Sequence, residues 1–222
     1  MTAENNNTSK TLSLDENQII ALYMQDFLEH GEEPKTVYTF CKRNGFTDTE
    51  FFEHFGSIES LKQEVWVKFF ENAVLTIAEE QAYASYTPKN KLLTLYFTLF
   101  EILTLNRSYV LATLKENKEG LKNLQQLKKM RNLFKDFVNN IIQSDNPNNS
   151  KFKNATEPVY SEGSWIQFLF ILKFWLDDSS KGFEKTDIII EKSVNTVVDL
   201  LDTKPLANII DLGKFLWKER TM

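Results

Sequence analysis

An all-α fold is predicted by three features of this 222-residue sequence. Gly and Pro, which interrupt helices, occur only seven and five times. Leu, Lys, Glu and Asn are frequent, and apolar residues recur at the three- and four-residue spacing of one helix face. Hydrophobic residues make up 42% of the chain, which is enough for a sizeable core. The length suits one small and one medium domain.

The chain begins with a polar segment, residues 1–13, which has no apolar pattern and is expected to be disordered. A helix is predicted over 15–30, with Gly31 closing it. Its apolar face comprises Ile19, Ile20, Tyr23, Phe27 and Leu28.

Two short helices joined by a glycine turn are predicted next. The first covers 36–43, and Asn44-Gly45 then supplies residues that tolerate positive φ. Thr47 is the expected N-cap of the second helix, and Glu50 completes a capping box. The buried side of this second helix is assigned to Phe51, Phe52 and Phe55. The pattern is that of a helix-turn-helix.

The remainder of the chain predicts a larger helical body. Helices are expected over 59–85, 88–105, 109–114, 120–143, 163–178, 186–202 and 205–220. The segment 144–158 is polar and is expected to be a flexible loop. The 163–178 helix is apolar nearly all round, so burial on every side is expected. Basic residues on the 120–143 helix are interpreted as a solvated face, and spacing favours a helix over a strand at Ile188-Ile189-Ile190.

Several classes of site are excluded by composition. The single cysteine, Cys41, excludes an internal disulfide and a Cys-rich metal site. The two histidines have no Ser or Cys partner in a known motif, and no Gly-rich phosphate loop occurs. We therefore expect no enzyme activity, no metal and no cofactor, and we read Asp177-Asp178 as solvated acids. Without a signal peptide or an apolar span, a cytoplasmic protein is expected.

The helix-turn-helix resembles the amino-terminal domain of TetR/AcrR transcriptional regulators. The likeness is carried by Gly45 in the turn, Thr47 as cap, Phe52 where the family has a central Tyr, and Phe55. Leu61 then begins a long helix, and the order of helices is similar across nearly the whole chain. The resemblance implies a three-helix head over 14–58 and a ligand-binding and dimerisation domain over 59–222. It also implies a homodimer.

The resemblance makes DNA an expected partner, but the DNA-contacting part of the head is degenerate. Residues 12–57 contain three basic and nine acidic residues, a balance of 3 − 9 = −6. The hydroxyl of the family's Tyr is missing at Phe52, and Ile58 stands where the family usually has Lys. The candidate DNA contacts are Lys35, Thr36, Lys42, Arg43, Thr47, Thr49, Phe52 and His54.

Aromatic residues of the body are interpreted as the lining of a pocket for an apolar small molecule or lipid, with a packed aromatic core as the alternative. The candidate pocket residues are Phe97, Phe100, Tyr109, Phe134, Phe137, Trp165 and Phe168. The resemblance places the dimer interface on the two late helices. The candidate interface residues are Trp165, Leu169, Leu172, Leu176, Ile189, Val194, Val197 and Leu201.

Two functions are therefore compared. The first is a ligand-responsive transcriptional regulator that binds DNA as a homodimer. The alternative is a lipid-binding or interaction protein that no longer binds DNA, similar to a TetR-fold lipid-binding accessory protein of coenzyme Q biosynthesis. For the amphipathic helix 205–220, contact with a membrane surface and ordinary packing both remain open.

Overall fold

The computed structural model describes residues 14–114, 120–145 and 150–202, and every regular element within them is helical. This confirms the all-α prediction. The α-helices are α1 Glu16–His30, α2 Val37–Asn44, α3 Asp48–His54, α4 Ile58–Ala78, α5 Pro88–Leu105, α6 Arg107–Leu114, α7 Lys128–Asp145, α8 Ser150–Asp177 and α9 Glu184–Asp202. Short 3₁₀ turns cover Tyr83–Ser85, Gly120–Leu127 and Lys181–Phe183. Among the described helices, none combines the length and apolarity that a membrane span requires.

The chain divides into two compact units. The head unit comprises Met1–Trp66 together with Ser108–Gln126, and the body unit comprises Val67–Arg107 together with Leu127–Met222. The predicted head, 14–58, lies within the head unit. That unit is larger because residues from further along the chain join it, as the hydrogen bond from Trp66 Nε1 to Gln126 Oε1 (2.8 Å) illustrates.

Local capping interactions define the helices of the head. Asp15 caps α1 in a capping box, and Gly31 ends it in the left-handed region at φ +68°. Thr36 caps α2, and Gly45 ends it at φ +77°. Thr47 caps α3 with Glu50 in the predicted capping box. Each of these signals lies within three or four residues in the sequence, so the turn between α2 and α3 is formed by local chemistry.

The predicted buried side of α3 is wrong at one position. Phe51 is fully buried and Phe55 is 5% exposed, but Phe52 is 55% exposed. Successive residues of an α-helix point about 100° apart, so Phe51 and Phe55 share a face and Phe52 cannot join them. The ring of Phe52 is consequently available on the outer surface of α3.

The apolar face of α4 is buried, although the helix is shorter than expected. Its buried residues include Leu61, Val65, Trp66, Phe69, Phe70, Ala73 and Ile77. The helix ends at Ala78 and not at 85, and a 3₁₀ turn follows. No further apolar residue continues the buried face after Ile77, so the chain gains little by extending the helix.

Two further predicted boundaries are wrong. The expected helix over 120–143 is a 3₁₀ segment, Gly120–Leu127, followed by α7. The expected loop over 144–158 is interrupted by α8, which begins at Ser150, while 146–149 lie outside the described residues. Polar composition predicted a loop, but a helix nucleated by the apolar segment gains one hydrogen bond for each residue added.

Helix α8 is not buried on every side within this chain. Ile166 is 62% exposed and Phe170 is 58% exposed, one turn apart on the same face. Most of the remaining apolar side chains of the segment, including Phe168 and Trp175, are buried. The predicted helix over 205–220 lies outside the described residues.

Two glycine substitutions should change stability in opposite directions. Gly45→Ala places a Cβ at φ +77° and should destabilise the head by about 1–2 kcal/mol. Gly163→Ala lies in the exposed interior of α8, where an added Cβ meets nothing within 4 Å, and should stabilise by about 0.5–1 kcal/mol. Urea unfolding followed by circular dichroism measures both. Equal effects of the two changes would contradict the assignment of Gly45 as an obligatory turn glycine.

Candidate functional site

All eight candidate DNA-contacting residues are exposed, and all lie in the head unit. They lie on α2, on α3 and on the segments preceding these helices. This placement puts them on the helix-turn-helix, but their neighbours decide which of them can meet a phosphate.

Arg43 is engaged by a buried carboxylate. Asp26 on α1 is only 3% exposed, and its Oδ2 lies 3.3 Å from Arg43 Nη1. Asn44 Nδ2 donates to the other oxygen, Oδ1, at 3.3 Å. A buried carboxylate needs such donors to remain charged. The charge of Arg43 is therefore largely neutralised by Asp26, and the same contacts connect α1 to α2.

Several other candidate contacts also have partners in the head. The Thr36 hydroxyl accepts from Thr39 N at 3.1 Å. The Thr47 hydroxyl accepts from Glu50 N at 3.2 Å and donates to Glu50 Oε2 at 2.8 Å. His54 Nε2 lies 2.9 Å from the carbonyl oxygen of Leu14.

Within the described part of the head, Lys35 and Lys42 are the basic candidates without an ion pair. Within that part of the head, the side chains of Thr49 and Phe52 likewise make no polar contact. Lys42 Nζ lies 5.8 Å from the centre of the Tyr38 ring. Tyr38 is 61% exposed, so this face presents two aromatic rings, Tyr38 and Phe52, beside a small number of cations.

The exposed face of α3 is negatively charged. Asp48 and Glu53 are exposed, and Glu50 lies between them in sequence. Hydrogen bonds from the backbone and the side chain of Thr47 lower the pKa of Glu50, so its carboxylate is ionised at neutral pH. Asp48 and Glu50, in the first turn of α3, offset the positive potential that the amino terminus of a helix otherwise presents to phosphate, and Glu53 adds negative charge near the other end.

The candidate pocket residues do not all belong to one unit. Tyr109 lies in the head unit, where its ring centre is 5.8 Å from that of Phe27 and 6.4 Å from that of Tyr23. Burial raises the pKa of the Tyr23 and Tyr109 hydroxyls far above their ordinary range. The other six candidates lie in the body unit.

Three of those six pack directly against one another. The ring centres of Trp165 and Phe168 are 5.1 Å apart, and Phe134 lies 5.6 Å from Phe168 and 5.7 Å from Trp165. All three residues are at most 5% exposed. Phe137 contacts Phe70 at 6.0 Å. These contacts are those expected of an aromatic core.

Phe97 and Phe100 open instead onto a surface cleft of about 290 Å³, which we call the aromatic cleft. It lies among α5, the end of α8 and the start of α9. Its lining comprises Phe97, Phe100, Glu101, Thr104, Trp175, Gly182, Phe183, Thr186 and Asp187. Sequence reasoning assigned Phe97 and Phe100 to a pocket and missed the other seven lining residues, including Glu101, Phe183 and Asp187. The spacing of Phe97 and Glu101, one helical turn apart, was the available signal for Glu101.

One wall of the aromatic cleft is held by Arg107. Its guanidinium carbon lies 4.3 Å from the ring centres of both Trp175 and Phe183. Its nitrogens donate to the carbonyl oxygens of Trp175 at 3.0 Å and Asp178 at 3.1 Å. The guanidinium therefore satisfies carbonyl groups at the carboxyl end of α8 while stacking on two rings.

Asp178 is not a solvated acid, contrary to the sequence prediction. It is 6% exposed, and its two oxygens accept hydrogen bonds from the backbone and hydroxyl groups of Ser180 and Thr186 at 2.7–3.0 Å. Burial alone would raise the pKa of the Asp178 carboxyl, but these hydrogen bonds outweigh it and lower that pKa to about 2. Asp177 is exposed, as predicted, and pairs with Lys173 at 2.5 Å.

The candidate dimer-interface residues differ in their availability. Trp165, Leu172 and Val194 are at most 5% exposed within this chain, so they are core residues here. Leu169, Leu176 and Ile189 are half-buried. The side chains of Val197 and Leu201 lie outside the described part of the structure. Among the residues of α8 and α9 whose side chains the structure describes, the large exposed apolar ones are Ile166, Phe170 and Ile188.

Within the described ranges, no group of three or more His, Cys, Asp or Glu side chains is arranged to hold a metal ion. The single cysteine, Cys41, is buried, and burial raises the pKa of its thiol to about 11.

A family model described as "Tetracyclin repressor-like, C-terminal domain" matches residues 91–216, which is more than half of the chain. A search of curated proteins found no match. The matched range includes most of the body unit and both helices that border the aromatic cleft on its α8–α9 side.

Removing the charge of the buried Asp178 carboxylate should destabilise the body unit. Asp178→Asn should lower the free energy of unfolding by about 1–3 kcal/mol at pH 7, because the Ser180 and Thr186 donors lose a charged acceptor. Asp177→Asn is the matched control and should cost less than about 1 kcal/mol.

The difference should also depend on pH. The native pKa of Asp178 lies below its ordinary 3.8, so its contribution is complete above that value and is lost as the pH falls toward 2. Urea unfolding at pH 7 and at pH 3 measures this. A difference between the two variants that does not shrink at low pH would contradict the role assigned to Asp178.

Proposed function

The chain belongs to the tetracycline-repressor-like family, and from that membership we propose that it is a ligand-responsive transcriptional regulator that binds DNA as a homodimer. The observation that carries the proposal is the family match over 91–216, combined with a helix-turn-helix in the head. Helices α2 and α3 are joined through Gly45, whose backbone is left-handed. In a DNA-binding helix-turn-helix, the second helix, here α3, lies in the major groove.

The reading surface would be the exposed face of α3. Thr49, Phe52 and Glu53 are exposed there, and Lys35 and Lys42 supply positive charge from the preceding segment and from α2. Phosphate contacts provide most of the affinity of a DNA-binding protein, whereas contacts to base edges provide specificity. With few cations, this head would bind DNA weakly and rely on its base contacts.

Acids on α3 are compatible with DNA at particular bases. Aspartate and glutamate can accept a hydrogen bond from the N4 amino group of cytosine in the major groove. Asp48 and Glu53, both exposed, are the side chains placed to do so. An operator with cytosines opposite α3 is therefore the kind of site that we expect.

Dimer formation is supported by unpartnered apolar surface on the late helices. Ile166 and Phe170 form an exposed stripe on α8, and Ile188 is 49% exposed on α9. Pairing of these helices with their counterparts in a second copy would remove this surface from water. We propose that this stripe, in place of the buried Trp165, Leu172 and Val194, contributes the side chains of the homodimer interface.

The ligand would bind in the body unit. The aromatic cleft provides a concave site there, with rings from three helical segments and a small number of polar groups. Ligand sites commonly combine these features. Phe97 and Phe100, which the sequence assigned to a pocket, are the two candidates that line it.

A second candidate function is supported by the head itself. A protein that no longer binds DNA could instead bind lipid or another protein, and three features favour it. Arg43 pairs with Asp26, Phe52 lacks a hydroxyl, and α3 carries three acids. Each of these removes a contact to phosphate or adds repulsion.

The regulator proposal predicts that the purified protein retards a DNA fragment from upstream of its own gene at low salt. Lys42→Ala should weaken this binding roughly tenfold, because a dimer would lose one cation from each of two heads. Lys192→Ala, an exposed lysine on α9, should leave the affinity unchanged. Gel retardation with a titration of each variant gives the comparison. The absence of any retarded species at low salt would reject the regulator proposal.

The alternative predicts a different result from the same preparation. Native mass spectrometry should then show a mass above that of the polypeptide, and organic extraction should release a lipid. A dimer of the bare polypeptide mass that retards DNA would rule out this alternative.

A further inference from the structure

We propose that the aromatic cleft binds a small organic cation, an alkylammonium or arylammonium group, between its rings and its two carboxylates. The inference deepens the proposed function by naming a chemical class for the ligand. Binding at this cleft can nevertheless be measured without DNA, so the two proposals can fail separately.

The lining of the cleft has the composition that organic cations prefer. Four of its nine residues are aromatic, but Phe100 and Trp175 are at most 4% exposed, so Phe97 and Phe183 supply the rings that a guest can reach. Ring faces carry negative electrostatic potential and attract ammonium groups that are partly removed from water. Phe97 is 40% exposed, so much of its ring is available to a guest.

The charged side chains in the lining are acidic, while Arg107 contributes a positive charge where it stacks on Trp175 and Phe183. Glu101 and Asp187 line the cleft, and no Lys, Arg or His is among the lining residues. Burial and the negative charge of the neighbouring Asp178 raise the pKa of the Asp187 carboxyl. Burial is the larger of these two causes, and the smaller contribution, from Asp178, is of the sign that a bound cation would offset.

The wall of the cleft already holds one cation in the proposed manner. The guanidinium of Arg107 lies 4.3 Å from the ring centres of Trp175 and Phe183, within the distance at which cation–π attraction is significant. The Asp178 carboxylate interacts electrostatically with this guanidinium, and it remains ionised because of the hydrogen bonds described above. Glu101 and Asp187 are therefore left without a compensating cation in the lining.

Other classes of guest fit the cleft less well. An anion would meet two carboxylates, and a neutral apolar molecule would remove them from water without compensation. A bare metal ion is not favoured, because the described residues contain no group of three suitable ligands. The volume of about 290 Å³ lies near the lower end of the range for ligand sites, which indicates a small molecule.

The test compares choline with its neutral carbon isostere, 3,3-dimethylbutan-1-ol, by isothermal titration calorimetry on the full chain. The two probes have nearly the same shape and differ in charge. Choline should bind saturably, and the isostere should bind at least roughly tenfold more weakly, because it gains neither cation–π attraction nor ion pairing. Equal affinity for the two probes, or no binding of choline up to millimolar concentration, would overturn the proposal.

Variants locate the site. Asp187→Asn should weaken choline binding several-fold, and so should Phe97→Leu. Glu191→Gln is the matched control: it removes an exposed carboxylate one turn further along α9, which does not line the cleft, and it should leave the affinity unchanged. Thermal unfolding of each variant establishes that the fold is retained. Equal losses in Asp187→Asn and Glu191→Gln would mean a general surface attraction and would overturn the assignment to the cleft.

Gel retardation on the same preparation separates this inference from the proposed function. A protein that retards DNA but does not bind choline would overturn the inference and leave the regulator proposal standing. A protein that binds choline but does not retard DNA would leave the cleft assignment standing and reject the regulator proposal.

Discussion

The pairing of Asp26 with Arg43 is the interaction on which the account of the head depends. Asp26 is almost completely buried, and a buried carboxylate is costly unless donors surround it. Arg43 and Asn44 supply those donors from α2 and connect α2 to α1. The same contact neutralises one of the three basic residues in the helix-turn-helix region. Arg43 therefore stabilises the fold of the head, and its charge is less available to bind a DNA phosphate.

Shape and charge are separate requirements in this molecule. The orientation of α2 and α3 depends on Gly45, on the Thr47 cap and on packing of Phe40 against Phe51, whose ring centres are 6.1 Å apart. None of these features needs a positive surface. A helix-turn-helix can therefore keep its geometry while its outer face becomes acidic. Asp178 presents a related case in the body, where an ionised acid that caps a turn also makes a neighbouring cleft more negative.

Features determined by neighbouring residues could be predicted from the sequence, and features determined by distant ones could not. The Thr47–Glu50 capping box, Gly31, Gly45 and the apolar face of α4 depend on residues three or four apart. The burial of Asp178 depends on Thr186 and on the path of the chain between α8 and α9, which no local pattern reveals. The aromatic residues predicted to line a cavity in the body include Tyr109, yet its ring packs in the head. The polar composition of 144–158 predicts a loop, and it does not reveal that α8 extends back to Ser150.

The most direct test of the account is the salt dependence of DNA binding. If Arg43 is neutralised by Asp26, each head contributes Lys35 and Lys42, and a dimer releases about four counterions. The logarithm of the association constant, measured by fluorescence anisotropy, should then fall with the logarithm of salt concentration with a slope of about −4. A slope of about −5.5 or steeper, as expected if Arg43 of each head also met phosphate, would contradict the assignment of Arg43 to Asp26.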